Sequence, residues 1–393
     1  MPGRSPAGRL MSPAKSSLNR IVVVGGSVAG ATAAGALRQL GYEGSITMVG
    51  DERYLPYSRP ALSKGVLTGT EDIDDIGLAP LPDDIDVRVE CAAVGLDRGK
   101  GEVLLDDGQR IGYDGLVVAT GARAARLADI GAADPGAQEI VLRDLDDART
   151  LAELLAPKPR VLVIGGGILG TEVASACAGA GCEVLVVGRE PALVPQLGHY
   201  LANLLVTAAQ HHGVRFVEHP GGVRLVGSGL VHAVELADGS RLEADVVITA
   251  VGCRPNVEWL STSGLPVTGG IRVDERCRVD ENIVAAGDVA SFPGPSFPRR
   301  TPLWTHAIEQ GTAAASALLT GDQAIPLTPR PYFWTEQFGM SVKVCGHLPA
   351  LGEPDIVDGA LPEGAVLRWL GSTAATVNRR VPIGKLRALA GAN

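Results

Sequence analysis

A run of β-branched residues from Arg20 to Val24 (RIVVV) ends in a glycine cluster, gives way to an alanine-rich stretch, and is followed by a second apolar run from Ser45 to Val49. The same order returns 140 residues further on. Arg20 to Gly30 reads RIVVVGGSVAG and Arg160 to Gly170 reads RVLVIGGGILG, with the next apolar run from Glu183 to Val187. Each copy predicts a strand, a helix and a second strand, the opening of a doubly wound parallel sheet. Two copies predict two related α/β domains in one chain.

The glycines add chemistry to this pattern. The first permits the tight turn from strand to helix, the second lets a pyrophosphate approach the backbone, and the third lets the helix pack on the strand, with the helix N-terminus facing the anion. Gly165, Gly167 and Gly170, with Ile168 and Leu169 between them, match the full pattern; the first copy has Gly25, Ala29 and Gly30 but Ser27 in the middle. Serine is small, so close approach survives. Two such loops, each between a strand and a helix, predict two bound dinucleotides.

A ribose carboxylate is expected about 20 residues beyond a glycine loop. In the first copy Gly50 holds the strand end, so Asp51 or Glu52 must serve; in the second the strand end is Gly188, followed by Arg189 and Glu190. The missing acid removes repulsion toward a 2′-phosphate and Arg189 could bind one, which favours NADPH or dual use, while Glu190 keeps NADH in play.

Composition narrows the setting. Glycine reaches 51 of 393 residues, about twice the roughly 7% of average proteins, and that surplus belongs to backbone turns. A net charge of −9 argues against a nucleic-acid partner, which needs a basic face. Residues 1–18 carry basic side chains without an apolar core and read as a disordered tail, with Met11 an alternative start. The six cysteines (Cys91, Cys177, Cys182, Cys253, Cys277, Cys345) lack metal-type spacing, and none of the seven histidines has it either. A reducing, cytoplasmic setting and no metal are expected.

Five further segments stand in a particular order: GDERYLPYSRPALSK (Gly50 to Lys64), YDGLVVATGA (Tyr113 to Ala122), VGCRPN (Val251 to Asn256), IVAAGDVA (Ile283 to Ala290) and PYFWTEQFG (Pro331 to Gly339). From about residue 19 onward the chain thereby resembles the FAD-containing ferredoxin reductases of bacterial oxygenase systems, the rubredoxin and putidaredoxin reductase type. The resemblance implies an α/β, glutathione reductase-like architecture with two Rossmann-like domains and a small C-terminal α/β interface domain. FAD would be bound by 19–124 and 250–324, NAD(P) by 125–249, and the interface domain would run over 325–393.

It also implies roles. Arg59 and Lys64 would meet the FAD pyrophosphate and ring, Asp288 after Gly287 would accept a ribityl hydroxyl, and Trp304 would line the flavin. Ala119, Thr120 and Gly121 would close the FAD half, and Val251 and Gly252 would border the nicotinamide half. Glu172, read as lying on the opening turn of the second helix, would pair with Lys64 beside the flavin, and Trp334 would lie near the nicotinamide end. Lys64, Glu172 and Trp334 form the expected catalytic set.

The expected partner is an acidic iron–sulfur ferredoxin meeting a monomer or weak dimer. After Glu363 there is no acidic side chain, while Arg368, Arg379, Arg380, Lys385 and Arg387 follow, so this stretch is a candidate dock, with Arg299 and Arg300 a second. Cys177 and Cys182 have the spacing of a redox pair but stand in the wrong half of the chain, and no cysteine replaces Ser58; both read as core thiols. Competing readings are another acceptor (rubredoxin, a quinone, oxygen, monodehydroascorbate) or a non-catalytic flavoprotein of the apoptosis-inducing-factor type.

Overall fold

The structure is a computed structural model that describes residues 18–294 and 299–391. The expected tail lies outside them, apart from Leu18. Arg20–Val24, whose last four side chains are buried, forms the middle of a six-stranded sheet. On one side lie Ser45–Val49 and Ile85–Arg88; on the other lie Gly115–Val118, Ile283–Ala285 and Arg278–Asp280. All neighbours are parallel except the last pair. One sheet therefore takes strands from both ends of the nucleotide-binding region.

The alanines after the first glycine loop have a packing reason. Helix Val28–Gln39 presents Ala29, Ala33 and Ala36 to Ala307, Ala314 and Ala315 of helix Trp304–Thr320, in one buried cluster. A Cβ on Gly311 would press into the Ala29 carbonyl oxygen and Thr32. Small side chains let the two helices close on each other, and so fix Trp304 at the mouth of the first loop.

The second copy builds its own parallel sheet, ordered Arg215–Glu218, Glu183–Gly188, Arg160–Ile164, Val246–Thr249. The chain enters this unit and leaves it through Ala122–Ala124 and Cys253–Pro255, which pair with each other as an antiparallel ribbon. A third, antiparallel sheet of five strands runs Tyr332–Gln337, Met340–Gly346, Thr373–Val377, Gly364–Trp369, Asp355–Ala360. One of its faces meets Leu201 and Leu205 of helix His199–His211 through Val342, Val344 and Ala375. Leu386 of helix Ile383–Leu389 packs with Tyr332, Cys345 and Ala374.

Helix Val28–Gln39 contains two glycines with opposite requirements. A Cβ on Gly30 would collide with the Gly25 carbonyl oxygen, whereas one on Gly35 would meet nothing within 4 Å. Gly35→Ala is expected to stabilise the protein by about 0.5–1 kcal/mol through helix propensity, and Gly30→Ala to destabilise it. Urea midpoints of the two variants check this; a lower midpoint for Gly35→Ala would contradict it.

Candidate active site

A cleft of about 860 Å³ lies where the two nucleotide-binding units and the C-terminal sheet meet. Its floor is the first glycine loop. Gly25 has φ +122°, and a Cβ there would strike the Ala119 carbonyl oxygen. Ser27 sits at the N-cap of helix Val28–Gln39, yet its side chain caps no backbone N–H. Those N–H groups remain available to an anion. Ala29, Asp51, Glu52, Ala119, Thr120, Gly121, Gly287 and Asp288 also line the cleft, while Gly30 is buried in the first turn of the helix. The Trp304 indole N–H, on the same wall, is buried without a partner among the described residues. The volume, the bare helix terminus and the glycine-tight floor fit an extended dinucleotide.

Asp51 and Glu52, left open by the sequence, differ in their surroundings. Glu52 is ion-paired with Arg59 and accepts from the Tyr57 hydroxyl at 2.5 Å. Asp51 is exposed. Arg59 also donates to the Arg143 carbonyl at 2.9 Å and to Ser27 Oγ at 3.4 Å, and the Leu145 N–H donates to the Tyr57 hydroxyl at 3.1 Å. Burial pushes the Tyr57 hydroxyl far up, so it stays a donor to Glu52 at any working pH.

Arg143 is a site residue the sequence reading missed. It lines the cleft and donates from Nη2 to Asp288 Oδ2 at 3.0 Å. The available signal was its place just before Asp144, which with Asp147 forms the capping box of helix Leu145–Leu155.

Lys64 leaves helical geometry (φ −118°, ψ −105°) inside the turn Leu62–Val66, and its ammonium lies 2.8 Å from Glu172 Oε2. Helix Ile168–Gly179 begins at Ile168, so Glu172 is its fifth residue, a turn deeper than the opening turn expected from sequence. The difference matters, because the carboxylate is 5% exposed. It accepts from Ser63 Oγ at 2.6 Å and from Thr335 Oγ1 at 2.7 Å as well. Removing one partner of such a pair would strand a charge away from water.

Ile168, Leu169 and Glu172 bring the second loop to the cleft; Gly165, Gly167, Gly170, Gly188, Arg189, Val251 and Gly252 lie outside its lining. A Cβ on Gly165 (φ +115°) would strike the Ala250 carbonyl as one on Gly25 would strike that of Ala119, and one on Gly170 would collide with the Gly165 carbonyl as one on Gly30 would with that of Gly25. At the strand end the Gly188 carbonyl accepts from His219 N, and the exposed Arg189 donates to the Pro220 carbonyl at 3.4 Å.

Trp334 meets Trp304 edge to face at 5.9 Å and stacks on Tyr332 at 6.0 Å; all three line the cleft. The basic run beyond Glu363 is less basic in space than in sequence. Arg368 is paired with Asp355, Arg379 with Asp358 and Arg387 with Glu309, all acids from earlier in the chain. Arg380 and Lys385 are exposed. Arg300 is held by the carbonyls of Asp288 and Cys253.

All six cysteines are free, and Cys177 and Cys182 are buried. Burial, then the neighbouring Cys182, pushes the Cys177 thiol up to about 12. Burial raises the Cys182 thiol too, and thiolate is the nucleophile in disulfide exchange, so both sulfurs are held in the less reactive thiol form. A thiol reagent at pH 8 is expected to spare both until the protein is unfolded; modification of either in the native state, followed by mass spectrometry, would contradict it.

Residues 19–311 match the pyridine nucleotide-disulphide oxidoreductase family. The chain is 36% identical to rhodocoxin reductase of Rhodococcus erythropolis, over 90% of this chain and 84% of that one. It is 35% identical to the ferredoxin–NAD(+) reductase component of the biphenyl dioxygenase system of Paraburkholderia xenovorans, over 86% and 83%. Among solved structures it is similar to the covalent putidaredoxin reductase–putidaredoxin complex, with a TM-score of 0.81 at 29% identity, covering 95% of this chain and 93% of that one. These likenesses make the chain an oxidoreductase that uses FAD and NAD(P)H, and it belongs to the pyridine nucleotide-disulphide oxidoreductase family.

Proposed function

We propose that this chain is a ferredoxin reductase serving an oxygenase, oxidising NAD(P)H at one loop and delivering electrons to an iron–sulfur protein at its C-terminal domain. The observation that carries this is the Lys64–Glu172 pair, set in the cleft that the first glycine loop, Ile168 and Leu169 of the second, and Trp334 also line. The similarity to a reductase component of a dioxygenase system supports the acceptor. Bound FAD would supply the conversion of a hydride into single electrons. The six free thiols suit a reducing, cytoplasmic setting.

The protein's own residues supply position and charge. Gly25, Ser27 and the bare N-terminus of helix Val28–Gln39 would hold the FAD pyrophosphate, with Arg59 and Arg143 close by; Asp51, free of the ties that engage Glu52, would take the ribose. Asp288 would meet the ribityl chain and Trp304 the ring. Gly165, Gly167, Gly170 and Gly252 would cradle the nicotinamide dinucleotide. Glu172 keeps the Lys64 ammonium at the junction of the two sites, where it would balance negative charge arriving with the hydride. The two parallel sheets and the ribbon between them support a division into 19–124 with 250–324, 125–249 and 325–393.

The decisive experiment mixes the anaerobic holoprotein with NADH or NADPH in a stopped-flow instrument, then with an acidic ferredoxin. Flavin bleaching followed by ferredoxin reduction is expected, with Lys64→Met and Glu172→Gln each slowing bleaching by about 10²-fold. Bleaching without transfer to any ferredoxin would overturn the acceptor, and no bleaching would overturn the whole reading. Because Arg379 and Arg387 are already neutralised, the double variant Arg380→Glu with Lys385→Glu should weaken ferredoxin turnover most. Unchanged turnover would remove the dock from the C-terminal stretch.

The nicotinamide preference rests on Gly188 and Arg189. Releasing the Pro220 carbonyl, the Arg189 guanidinium would pair with a 2′-phosphate. Arg189→Ala is expected to raise KM for NADPH about tenfold, a loss of roughly 1.4 kcal/mol, and to leave KM for NADH within twofold. Equal effects on both nucleotides would assign Arg189 no part in the choice.

A further inference from the structure

Among the described residues every polar contact of the Glu172 carboxylate is a donor, and one of them comes from the C-terminal sheet, 163 residues further along the chain. Oε2 accepts from Ser63 Oγ at 2.6 Å and Lys64 Nζ at 2.8 Å; Oε1 accepts from Thr335 Oγ1 at 2.7 Å. Thr335 is fully buried on strand Tyr332–Gln337 of the C-terminal sheet, and Ser63 and Gln337 are buried beside it. Gln337 Nε2 donates to Thr335 Oγ1 at 3.0 Å. That bond occupies an acceptor lone pair of the hydroxyl, so its single proton is left to Glu172. Side chains alternate along a strand, so Tyr332 and Trp334 share one face and Thr335 and Gln337 the other. The strand that carries the tryptophan into the cleft thereby also carries the hydroxyl that holds the carboxylate.

We propose that Thr335 is a positioning residue for hydride transfer: its hydroxyl, oriented by Gln337, fixes Glu172 Oε1 so that Oε2 holds the Lys64 ammonium at the meeting point of the two nucleotide sites. This rests on the functional reading above. A carboxylate with one oxygen released can rotate about its terminal torsion, which is soft and roughly two-fold, and the ammonium bound to the other oxygen moves with it. A displacement of about 1 Å at such a site is enough to cost about 10²-fold in rate. Sequence proximity hides the link, because Thr335 lies 163 residues from Glu172.

The test uses the holoprotein with Thr335→Val, which keeps the shape and removes the donor, and Thr335→Ser, which keeps the donor. Thr335→Val is expected to slow flavin bleaching at saturating NAD(P)H by about tenfold to 10²-fold, with KM and the dissociation constant for NAD+ within twofold of wild type. Thr335→Ser should restore most of the rate. In a Glu172→Gln background the same Thr335→Val change should cost less than twofold, because the group it acts through is already altered. The absorption bands of the oxidised flavin, recorded before any nucleotide is added, should shift in Thr335→Val and return in Thr335→Ser, since a charge beside the ring has moved. The proposal is overturned if Thr335→Val matches wild type, if Thr335→Ser is as slow as Thr335→Val, or if the loss persists undiminished beside Glu172→Gln. Wild-type protein that fails to bleach would instead sink the functional reading on which it stands.

Discussion

The carboxylate of Glu172 is shut away from water, and a charge in that position survives only by being surrounded with donors. Those donors come from Ser63 and Lys64 in the first nucleotide unit and from Thr335 in the C-terminal sheet, while Glu172 itself belongs to the second. Losing any one unit would leave the other two with an expensive unmet group. The requirement to satisfy one charge thus brings three units of the chain to a common point, and that point is the cleft.

Other ties at the cleft follow the same logic on a smaller scale. Arg59, Glu52 and Tyr57 fasten the loop after the second strand to the start of helix Leu145–Leu155, partly through the carbonyl of Arg143 and the N–H of Leu145. On the outside, Tyr54 is flanked by Arg53 and Arg149 at 5.1 and 5.3 Å and donates to Asp146 at 2.6 Å. The outer contacts are exposed and worth little singly. The inner ones are half-buried, and they hold the Arg59 guanidinium against the cleft wall.

The glycine loops and their flanking strands could be read directly from sequence because their cause is local. A turn with no room for Cβ needs glycine at a fixed offset, and an apolar run needs cover on both faces. Glu172 could be named only through resemblance, and its depth was misjudged by one turn because the helix start depends on the loop geometry. Its donors were out of reach, at separations of 108, 109 and 163 residues. The pairing of the basic C-terminal stretch was hidden for the converse reason. Charge counted along a chain ignores acids folded back from earlier positions, and Asp355, Asp358 and Glu309 neutralise three of its arginines.

The ribbon between the nucleotide units has a mechanical consequence. Ala122–Ala124 and Cys253–Pro255 are the two crossings, and three residue pairs bind them side by side. The Asn256 N–H bonded to the Gly121 carbonyl and the Ala125 N–H bonded to that of Gly252 extend the join. Two separate tethers would let one unit twist, slide and tilt against the other. Two tethers fused edge to edge behave as a leaf spring: compliant across its face, stiff in its plane. Any displacement of the second unit against the first would accordingly be a tilt across the ribbon's face, with twist and slide resisted in its plane.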